Sequence, residues 1–482
     1  MISDQQTSFA DLGVPSTLTT VLHADGKTTP FPIQTDTLPD TLKGRDVLGR
    51  GKTGSGKTLA FSIPLVARLG EKYGRGTDLP GRPKALILSP TRELATQIDA
   101  VLAPLAAAYG MSTLTIFGGV SARPQISALR RGVDIVVACP GRLEDLISQD
   151  ALRLDDVEVT VLDEADHMAD LGFLPGVTRI LRQTPENGQR LFFSATLDNG
   201  VDKLVKKFLT DEILHSVDEP TSHVSAMTHH VFEVDKEEKK QVVKDLASGR
   251  GRRILFTRTK HQAKKLAKQL TEQGVPAVDL HGNLSQPQRD RNLAAFGSGG
   301  VNVLCATDVA ARGVHVDSVE LVVHVDPPAE HKAYLHRSGR TARAGSSGDV
   351  VTVMLPEQRG DTEVLLRKAA ISTQITAVEP GSEEITELVG ATAPYVKPEP
   401  KQNQQPKGTS QGANAQRKRA ARGSRGGGSS EGRSGASGPG GSRSGGSRSG
   451  GNRSGRSRPG RDGSPRAASG RRAGRNSDAR SR

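Results

Sequence analysis

The chain of 482 residues has no tryptophan, only two cysteines and 3% aromatic residues. Two cysteines, Cys139 and Cys305, cannot build the disulfide framework of a small secreted domain, and each stands beside an apolar run as a small buried residue would. No apolar run approaches the ~18 residues that a membrane-spanning helix needs. Residues 1–10 lack the basic and apolar segments of a secretory signal. We therefore expect a protein of the cytoplasm.

Apolar residues make up only 34% of the chain. Both this shortage of apolar residues and the net positive charge are concentrated in the C-terminal part. Residues 397–482 contain 21 Lys and Arg against four Asp and Glu, a net charge of +17, whereas the whole chain carries +13. The remaining residues are therefore mildly acidic. Residues 423–461 are dominated by Gly, Ser and Arg, a composition that cannot bury a core. Hydrophobic periodicity stops near residue 378, so we predict a disordered basic tail over residues 378–482.

Before that point, short apolar β-branched runs alternate with helical patterns such as residues 57–69, 93–107 and 261–273. The first series of predicted strands comprises residues 46–48, 85–88, 135–138, 159–162 and 191–193. The second comprises residues 231–234, 254–257, 275–280, 301–305, 321–325 and 350–355. This alternation indicates βαβ units with parallel sheets. We predict an N-terminal segment (1–40), two α/β domains (41–217 and 229–377) and a linker between them (218–228).

Residues 51–58, Gly-Lys-Thr-Gly-Ser-Gly-Lys-Thr, fit the phosphate-loop pattern G-x-x-x-x-G-K-[ST]. They follow a strand and open a helix, the context that the motif requires, and this disfavours a chance Gly-rich turn. Backbone amides around Gly54, Ser55 and Gly56 would converge on phosphate oxygens, and the helix N-terminus favours negative charge. We expect Lys57 to reach the β- and γ-phosphates and the Thr58 hydroxyl to ligate Mg²⁺.

A second candidate is the acidic pair Asp163 and Glu164, which directly follows the apolar run 159–162. A carboxylate at the end of a strand beside a phosphate loop is suited to the second Mg²⁺ contact, so we assign this role to Asp163, through water. Glu164 is the candidate base or orienter of the attacking water. Alone, the pair could equally be the acidic first turn of a helix, but its pairing with the phosphate loop favours the site.

Asp163-Glu164-Ala165-Asp166 is the name-giving quartet of the DEAD-box RNA helicases, and motifs over residues 8–357 resemble that family in order. The resemblance implies an α/β fold of two tandem RecA-like parallel-sheet domains of the P-loop NTPase type. The Gly/Arg-rich tail looks closest to the bacterial RhlE-like subgroup. Around the Q motif, with Phe9 and Gly26, the resemblance implies that Gln34 reads the adenine edge.

The resemblance also implies roles for residues of both domains. In the first domain the implied RNA contacts are Pro90, Thr91, Arg92, Gly119, Gly141 and Arg142, and in the second they are Gln286, Arg289 and Thr307. Ser194, Thr196 and His336 would couple hydrolysis to unwinding, and Gly313 would contact the nucleotide. Arg340 and Arg343 would face the γ-phosphate, with Arg343 as the arginine finger. Standing alone, such an arginine pair would more simply form surface salt bridges.

Three positions depart from the family pattern. Lys27 stands where an aromatic ring usually stacks on adenine, and a lysine stem stacks less well. His315 stands where motif V usually ends in an Asp that contacts the ribose, with Asp317 two residues further on. Cys139 replaces a common Thr before Pro140, a change from which we expect no loss of function.

The resemblance implies an RNA-stimulated ATPase that uses ATP and Mg²⁺ and locally unwinds RNA. RNA would be bound largely through its backbone, with ribosome-assembly or RNA-decay proteins as candidate partners and no membrane. The tail would add salt-sensitive RNA affinity, or serve only as a solubilising linker. Two other functions stay open: a DNA helicase or translocase, and a non-enzymatic RNA chaperone.

Overall fold

The computed structural model describes residues 7–397 apart from 52–53, 78, 198–199, 218–226, 312–315, 317 and 343–346. The predicted site residues Gly313 and Arg343 lie outside these described residues, as do His315 and Asp317. So do most of the predicted linker 218–228 and the tail from residue 398.

The first α/β domain follows two N-terminal helices. Its elements in chain order are α1 (Ser16–Ala24), α2 (Pro32–Thr41), β1 (Val47–Arg50), α3 (Lys57–Tyr73), β2 (Ala85–Leu88), α4 (Arg92–Ala107), β3 (Thr113–Ile116), α5 (Ala122–Arg131), β4 (Ile135–Ala138), α6 (Pro140–Ser148), β5 (Val159–Leu162), α7 (Ala165–Asp170), α8 (Leu174–Leu181), β6 (Gln189–Ser194), α9 (Val201–Phe208) and β7 (Ile213–Ser216).

The second α/β domain repeats the alternation. Its elements are β8 (Met227–Glu233), α10 (Lys239–Ala247), β9 (Arg252–Phe256), α11 (Lys260–Glu272), β10 (Ala277–Leu280), α12 (Gln286–Gly297), β11 (Val303–Ala306), α13 (Asp308–Ala311), β12 (Val319–His324), α14 (His331–Ser338), β13 (Gly348–Met354), a 3₁₀ turn (Pro356–Gln358), α15 (Arg359–Lys368), β14 (Ile375–Ala377) and α16 (Glu383–Val389).

Each domain is built on a seven-stranded sheet whose paired strands all run parallel. The orders are β3-β4-β2-β5-β6-β1-β7 and β10-β11-β9-β12-β13-β8-β14, so both domains have the same topology. The central strands β2, β4 and β5 are buried at every position, as expected for strands covered by helices on both faces. The two sheets confirm the predicted pair of parallel-sheet domains. Both sheets lie in one compact unit.

The C-terminal ends of β1 and β5 position the predicted ATP site. The phosphate loop connects β1 to α3, and the acidic pair follows β5 directly. Both strands pair with others in one parallel sheet, so their carboxyl ends open at the same edge, where open α/β sheets bind ligands.

Two predicted boundaries are wrong. The second domain begins at Met227, inside the predicted linker, because β8 extends to the N-terminal side of its apolar centre. The predicted start of the tail at residue 378 is wrong by about twenty residues. Val378, Ile385 and Val389 are buried in the second domain's core, and the backbone amide of Val396 donates to Gly274 O at 3.0 Å. Two buried positions on a seven-residue helix were too weak a periodic signal to detect.

In the part of the chain that the structure describes, no helix combines the length and the apolar character needed to cross a bilayer.

Candidate nucleotide and RNA site

The phosphate loop turns sharply into α3 through two glycines with left-handed backbone angles, Gly54 (φ +89°) and Gly56 (φ +90°). A Cβ at Gly56 would lie 2.6 Å from Gln34 Nε2, so no other residue fits there without displacement. Lys57 is the first residue of α3, and its buried ammonium donates to Gly51 O at 2.7 Å. Thr58 follows on the first turn of α3, at the helix end that attracts phosphate.

The Q-motif segment is joined to this loop by Gln34. Its Nε2 donates to Gly56 O at 2.8 Å, and its Oε1 accepts from the Phe31 amide at 2.9 Å. One N–H and one lone pair of the amide remain, so the adenine contact of Gln34 stays a prediction. Lys27 forms an ion pair with Asp25, whereas the ring of Phe31 is 46% exposed and lies beside Gly56.

Asp163 and Glu164 are adjacent carboxyl groups whose pKa values are shifted in opposite directions. Burial raises the pKa of Asp163 to about 7, against the charge of Lys57. Burial would also raise the pKa of Glu164. A hydrogen bond from His167 and the charges of His167, Arg340 and Lys57 outweigh it and lower that pKa to about 2. Glu164 is thus ionised at neutral pH, which suits a group that orients water better than one that takes up a proton.

The last residue of the quartet, Asp166, connects the acidic pair to β6. Its carboxylate accepts from the Thr196 amide at 3.1 Å, and its own amide donates to Ser194 Oγ at 3.2 Å. Ser194 Oγ donates in turn to Thr196 O at 2.6 Å. The predicted coupling residues Ser194 and Thr196 are therefore bonded to the element that carries Asp163 and Glu164.

The second domain contributes to the same cavity. Arg340 and His336 line it together with Lys57, Glu164, Asp166, His167 and Ala195 of the first domain. Arg340 is buried, and its charge acts on Glu164. Arg337 pairs through its Nη2 with Asp308 Oδ2 at 2.8 Å, anchoring the end of α14 to α13. The predicted arginine finger, Arg343, lies outside the described residues.

Arg289 and Gln286, two predicted RNA contacts of the second domain, bond to residues of the first domain. Arg289 Nε donates to Glu93 Oε1 at 2.6 Å, and both side chains are less than 10% exposed. The other two nitrogens of Arg289 donate to His281 O and Ala310 O, so each nitrogen of its guanidinium makes a bond within the protein. Gln286 Oε1 accepts from Arg92 at 3.0 Å. The pattern H-G-x-x-x-Q-x-x-R thus joins α12 to α4 across the domains, and the RNA contacts of Gln286 and Arg289 stay predictions.

The other predicted RNA residues follow strand ends. Pro90 and Thr91 follow β2, Gly119 lies beyond β3, Gly141 and Arg142 begin α6 after β4, and Thr307 follows β11. Gly119 has φ +76°, and a Cβ there would lie 2.2 Å from the Arg92 guanidinium. Arg142 Nη2 donates to Val120 O at 3.2 Å. Both arginines therefore hold the Gly118-Gly119 turn, and the RNA contacts of this group stay predictions.

Sequence reasoning missed four residues of this site: Glu93, Asp166, His167 and Asp308. Glu93 and Asp166 stand inside motifs that were recognised, yet their partners are nearly 200 and about 30 residues away. Only the spacing of Glu164 and His167, three apart at a helix start, offered a local signal.

The fold and the cavity define a two-domain ATPase of the phosphate-loop class. The DEAD/DEAH box helicase model matches residues 31–204, and the helicase conserved C-terminal domain model matches residues 238–345. DEAD-box ATP-dependent RNA helicase 5 of Arabidopsis thaliana is 40% identical over 363 residues, which are 73% of this chain and 67% of that protein. The chain belongs to the DEAD-box ATP-dependent RNA helicase family.

A second relative and a solved structure extend the comparison. DEAD-box ATP-dependent RNA helicase 3A, chloroplastic, of Zea mays is 38% identical over 391 residues, 80% of this chain and 52% of that protein. The chain thus spans about half the length of this relative. The structure of S. cerevisiae Dbp5 bound to RNA and ADP BeF3 aligns with a TM-score of 0.67 and 26% identity, covering 80% of this chain and 100% of that one.

These relatives correct two predictions. The similar curated proteins are from plants, so the bacterial RhlE-like subgroup is not supported. The cytoplasmic prediction is contradicted, because similar proteins are named chloroplastic and mitochondrial.

Proposed function

We propose that this protein is an RNA-stimulated ATPase that locally unwinds or remodels RNA. One observation carries the proposal: Arg340 of the second domain lines the same cavity as Lys57 and Glu164 of the first. Neither domain alone holds both the phosphate loop and the arginine, so closure of the two domains assembles the site. Dbp5, whose structure aligns with this chain, was solved with RNA and ADP BeF3, which supports RNA and ATP as ligands.

In hydrolysis the oxygen of water bonds to the γ-phosphorus, and the bond to ADP breaks with its electron pair leaving on ADP. Ionised Glu164 orients the water, whose two protons pass to the phosphate product and, at neutral pH, in part on to the solvent. Lys57 and Arg340 balance the charge on the transferring oxygens. Arg343, as the predicted arginine finger, would add a further positive charge.

Thr58 and Asp163 would hold Mg²⁺. A hydroxyl and a carboxylate are the hard oxygen donors that this ion prefers, with water and phosphate oxygens completing its shell. The buried Asp163 carboxyl, whose pKa is raised to about 7, fits a cation that would favour its ionised form. When bound, the ion neutralises charge on the β- and γ-phosphates. Among the described residues no cluster of three His, Cys, Asp or Glu side chains forms a metal site.

RNA would lie along the strand ends that carry Thr91, Gly119, Gly141 and Thr307. These positions offer backbone amides and small hydroxyls, which contact phosphate and 2′-hydroxyl groups without selecting a base. We infer that residues 41–217 and 227–397 are the two halves that close on RNA. Ribosome-assembly or RNA-decay proteins remain candidate partners.

The test is the ATPase rate with and without RNA, compared with DNA of the same sequence. RNA should raise the rate, and DNA should raise it less; equal stimulation would favour a DNA motor. Glu164→Gln should lower turnover by at least about 100-fold while ATP still binds. An RNA chaperone with a degenerate ATP site would instead show no turnover in the wild type and no effect of this substitution.

A further inference from the structure

His167 is buried beside the catalytic cavity, although neither the motif nor the proposed mechanism uses it. It is the third residue of α7, its side chain is only 4% exposed, and it lines the cavity with Lys57, Glu164, His336 and Arg340. Its Nδ1 lies 3.0 Å from Glu164 Oε2. The contact spans three residues, the spacing at which side chains meet on one helix face.

The geometry of this contact assigns the tautomer of His167. An imidazole nitrogen and a carboxylate oxygen lie 3.0 Å apart, and a carboxylate that accepts this hydrogen bond assigns the hydrogen to Nδ1. Glu164 has a left-handed backbone (φ +51°), which leaves its side chain without the usual direction of a helical residue. The bond from His167 therefore fixes Oε2 of a side chain that also lines the cavity.

The other ring nitrogen gives an independent observation. Nε2 of His167 is buried and has no hydrogen-bond partner among the described residues. A buried polar atom without a hydrogen bond costs free energy. Nε2 of His229 and Nε2 of His324 also have no partner among the described residues, so it is the position of the His167 atom that sets it apart. Here the orphaned atom belongs to a residue that lines the reaction cavity, which is where water must enter.

We propose that His167 is the positioning residue for the attacking water: its Nδ1–H locks the Glu164 carboxylate so that the second oxygen holds the water in line with the γ-phosphate. This inference rests on the proposed ATPase function. His167 does not bind ATP, so its loss changes the chemical step and not the binding of nucleotide or RNA.

Two substitutions separate positioning from packing. In His167→Asn the amide nitrogen takes the place of Nδ1 and can donate to Glu164, although most of the ring is lost. In His167→Phe the ring volume is kept, but the donor is lost. If His167 only fills space, Phe is the better replacement; if it positions Glu164, Asn is.

The experiment measures kcat and the KM for ATP at saturating RNA, with binding of a non-hydrolysable ATP analogue in parallel. We expect His167→Phe to lower kcat about 10- to 100-fold, the cost of a misplaced reacting group, at unchanged KM and analogue affinity. His167→Asn should restore most of the rate. In a Glu164→Gln background, His167→Phe should have no further effect. His23→Phe, an exposed histidine on α1, is the matched control and should behave as wild type.

Three results would overturn the inference: equal loss in both His167 variants, a wild-type rate in His167→Phe, or a further loss on top of Glu164→Gln. Retained analogue binding shows that a slow variant is folded. A wild type without RNA-stimulated turnover would refute the proposed function and this inference together, and is distinguished from the other results by the wild-type measurement alone.

Discussion

At the scale of single residues, the adjacent carboxyl groups of Asp163 and Glu164 affect the free energy of unfolding in opposite directions. Asp163 is buried and accepts a hydrogen bond from the Glu164 amide, and burial raises its pKa to about 7. Glu164 is bonded to His167 and faces cations, which lower its pKa to about 2. A carboxyl whose folded pKa is above its unfolded value stabilises below the unfolded pKa and loses that contribution as pH rises through the folded one. Asp163 therefore costs stability at neutral and higher pH.

We expect Asp163→Asn to raise the stability of the nucleotide-free protein at pH 8 by about 2 kcal/mol, because it removes a buried charge. Thermal unfolding at pH 8 and pH 5 checks this, since the advantage should shrink as pH falls through the pKa of about 7. ATPase activity should be lost. Glu164→Gln is the control of opposite sign, and stabilisation of both variants at pH 8 would contradict the electrostatic explanation.

A second prediction at this scale concerns the aromatic ring of Phe31 and its effect on ATP binding. Lys27 is paired with Asp25, so the ring next to Gln34 and the phosphate loop is that of Phe31. Contact of an aromatic ring with a base contributes about 1 kcal/mol. Phe31→Ala should therefore raise the KM for ATP about 2- to 10-fold at nearly unchanged kcat. Lys27→Ala is the comparison, and a larger effect of Lys27 in steady-state kinetics would count against Phe31.

At the scale of elements, α4 and α12 carry the contact between the domains. Glu93 and Arg289 are both buried, and removing one partner of a buried pair leaves the other charge uncompensated. A charge reversal at both positions would not restore the contact, because Arg289 also donates to two carbonyls of its own domain.

We expect Glu93→Ala and Arg289→Ala each to raise the RNA concentration needed for half-maximal ATPase stimulation by about tenfold or more. The double variant should be far less impaired than the product of the two effects, since the pair acts as a unit. Exposed Lys265→Ala on α11 is the control. Strictly multiplicative effects would show that the two residues act independently.

The elements also show why sequence reasoning failed where it did. Strands β3, β7 and β14 were not predicted, and all three are edge strands whose residues are mostly half-buried or exposed. Edge strands are covered less completely, so their residues need not form the continuous apolar run that identifies a buried parallel strand. The central strands carry such runs and were found within a few residues.

At the scale of the whole molecule, the second domain extends to residue 397, and the excess of positive charge lies in the tail that follows it. Deleting residues 398–482 should weaken RNA binding at low salt, with a shallower dependence on salt concentration, because fewer cations meet phosphates. Maximal ATPase activity should stay nearly intact. RNA titrations at two salt concentrations check this, and unchanged binding would make the tail a solubilising linker.

A truncation after residue 377 is the matched comparison. It also removes Val378, Ile385 and Val389 from the second domain's core. We expect a loss of several kcal/mol of stability, since each buried aliphatic side chain contributes about 2 kcal/mol. Equal thermal stability of the two truncations would contradict the packing of α16.

The sequence by itself determined the class of fold, the phosphate loop, the acidic pair and the basic tail. Each of these depends on the order and spacing of nearby residues, which a strand, a turn or a helix start converts directly into geometry. Only the tertiary structure decided which distant residues share the cavity. The action of the Arg340 charge on Glu164, the pair of Glu93 and Arg289, and the burial of α16 depend on packing between elements far apart in the chain. Burial then set the opposite pKa values of Asp163 and Glu164, because the cost of a buried charge depends on its three-dimensional surroundings.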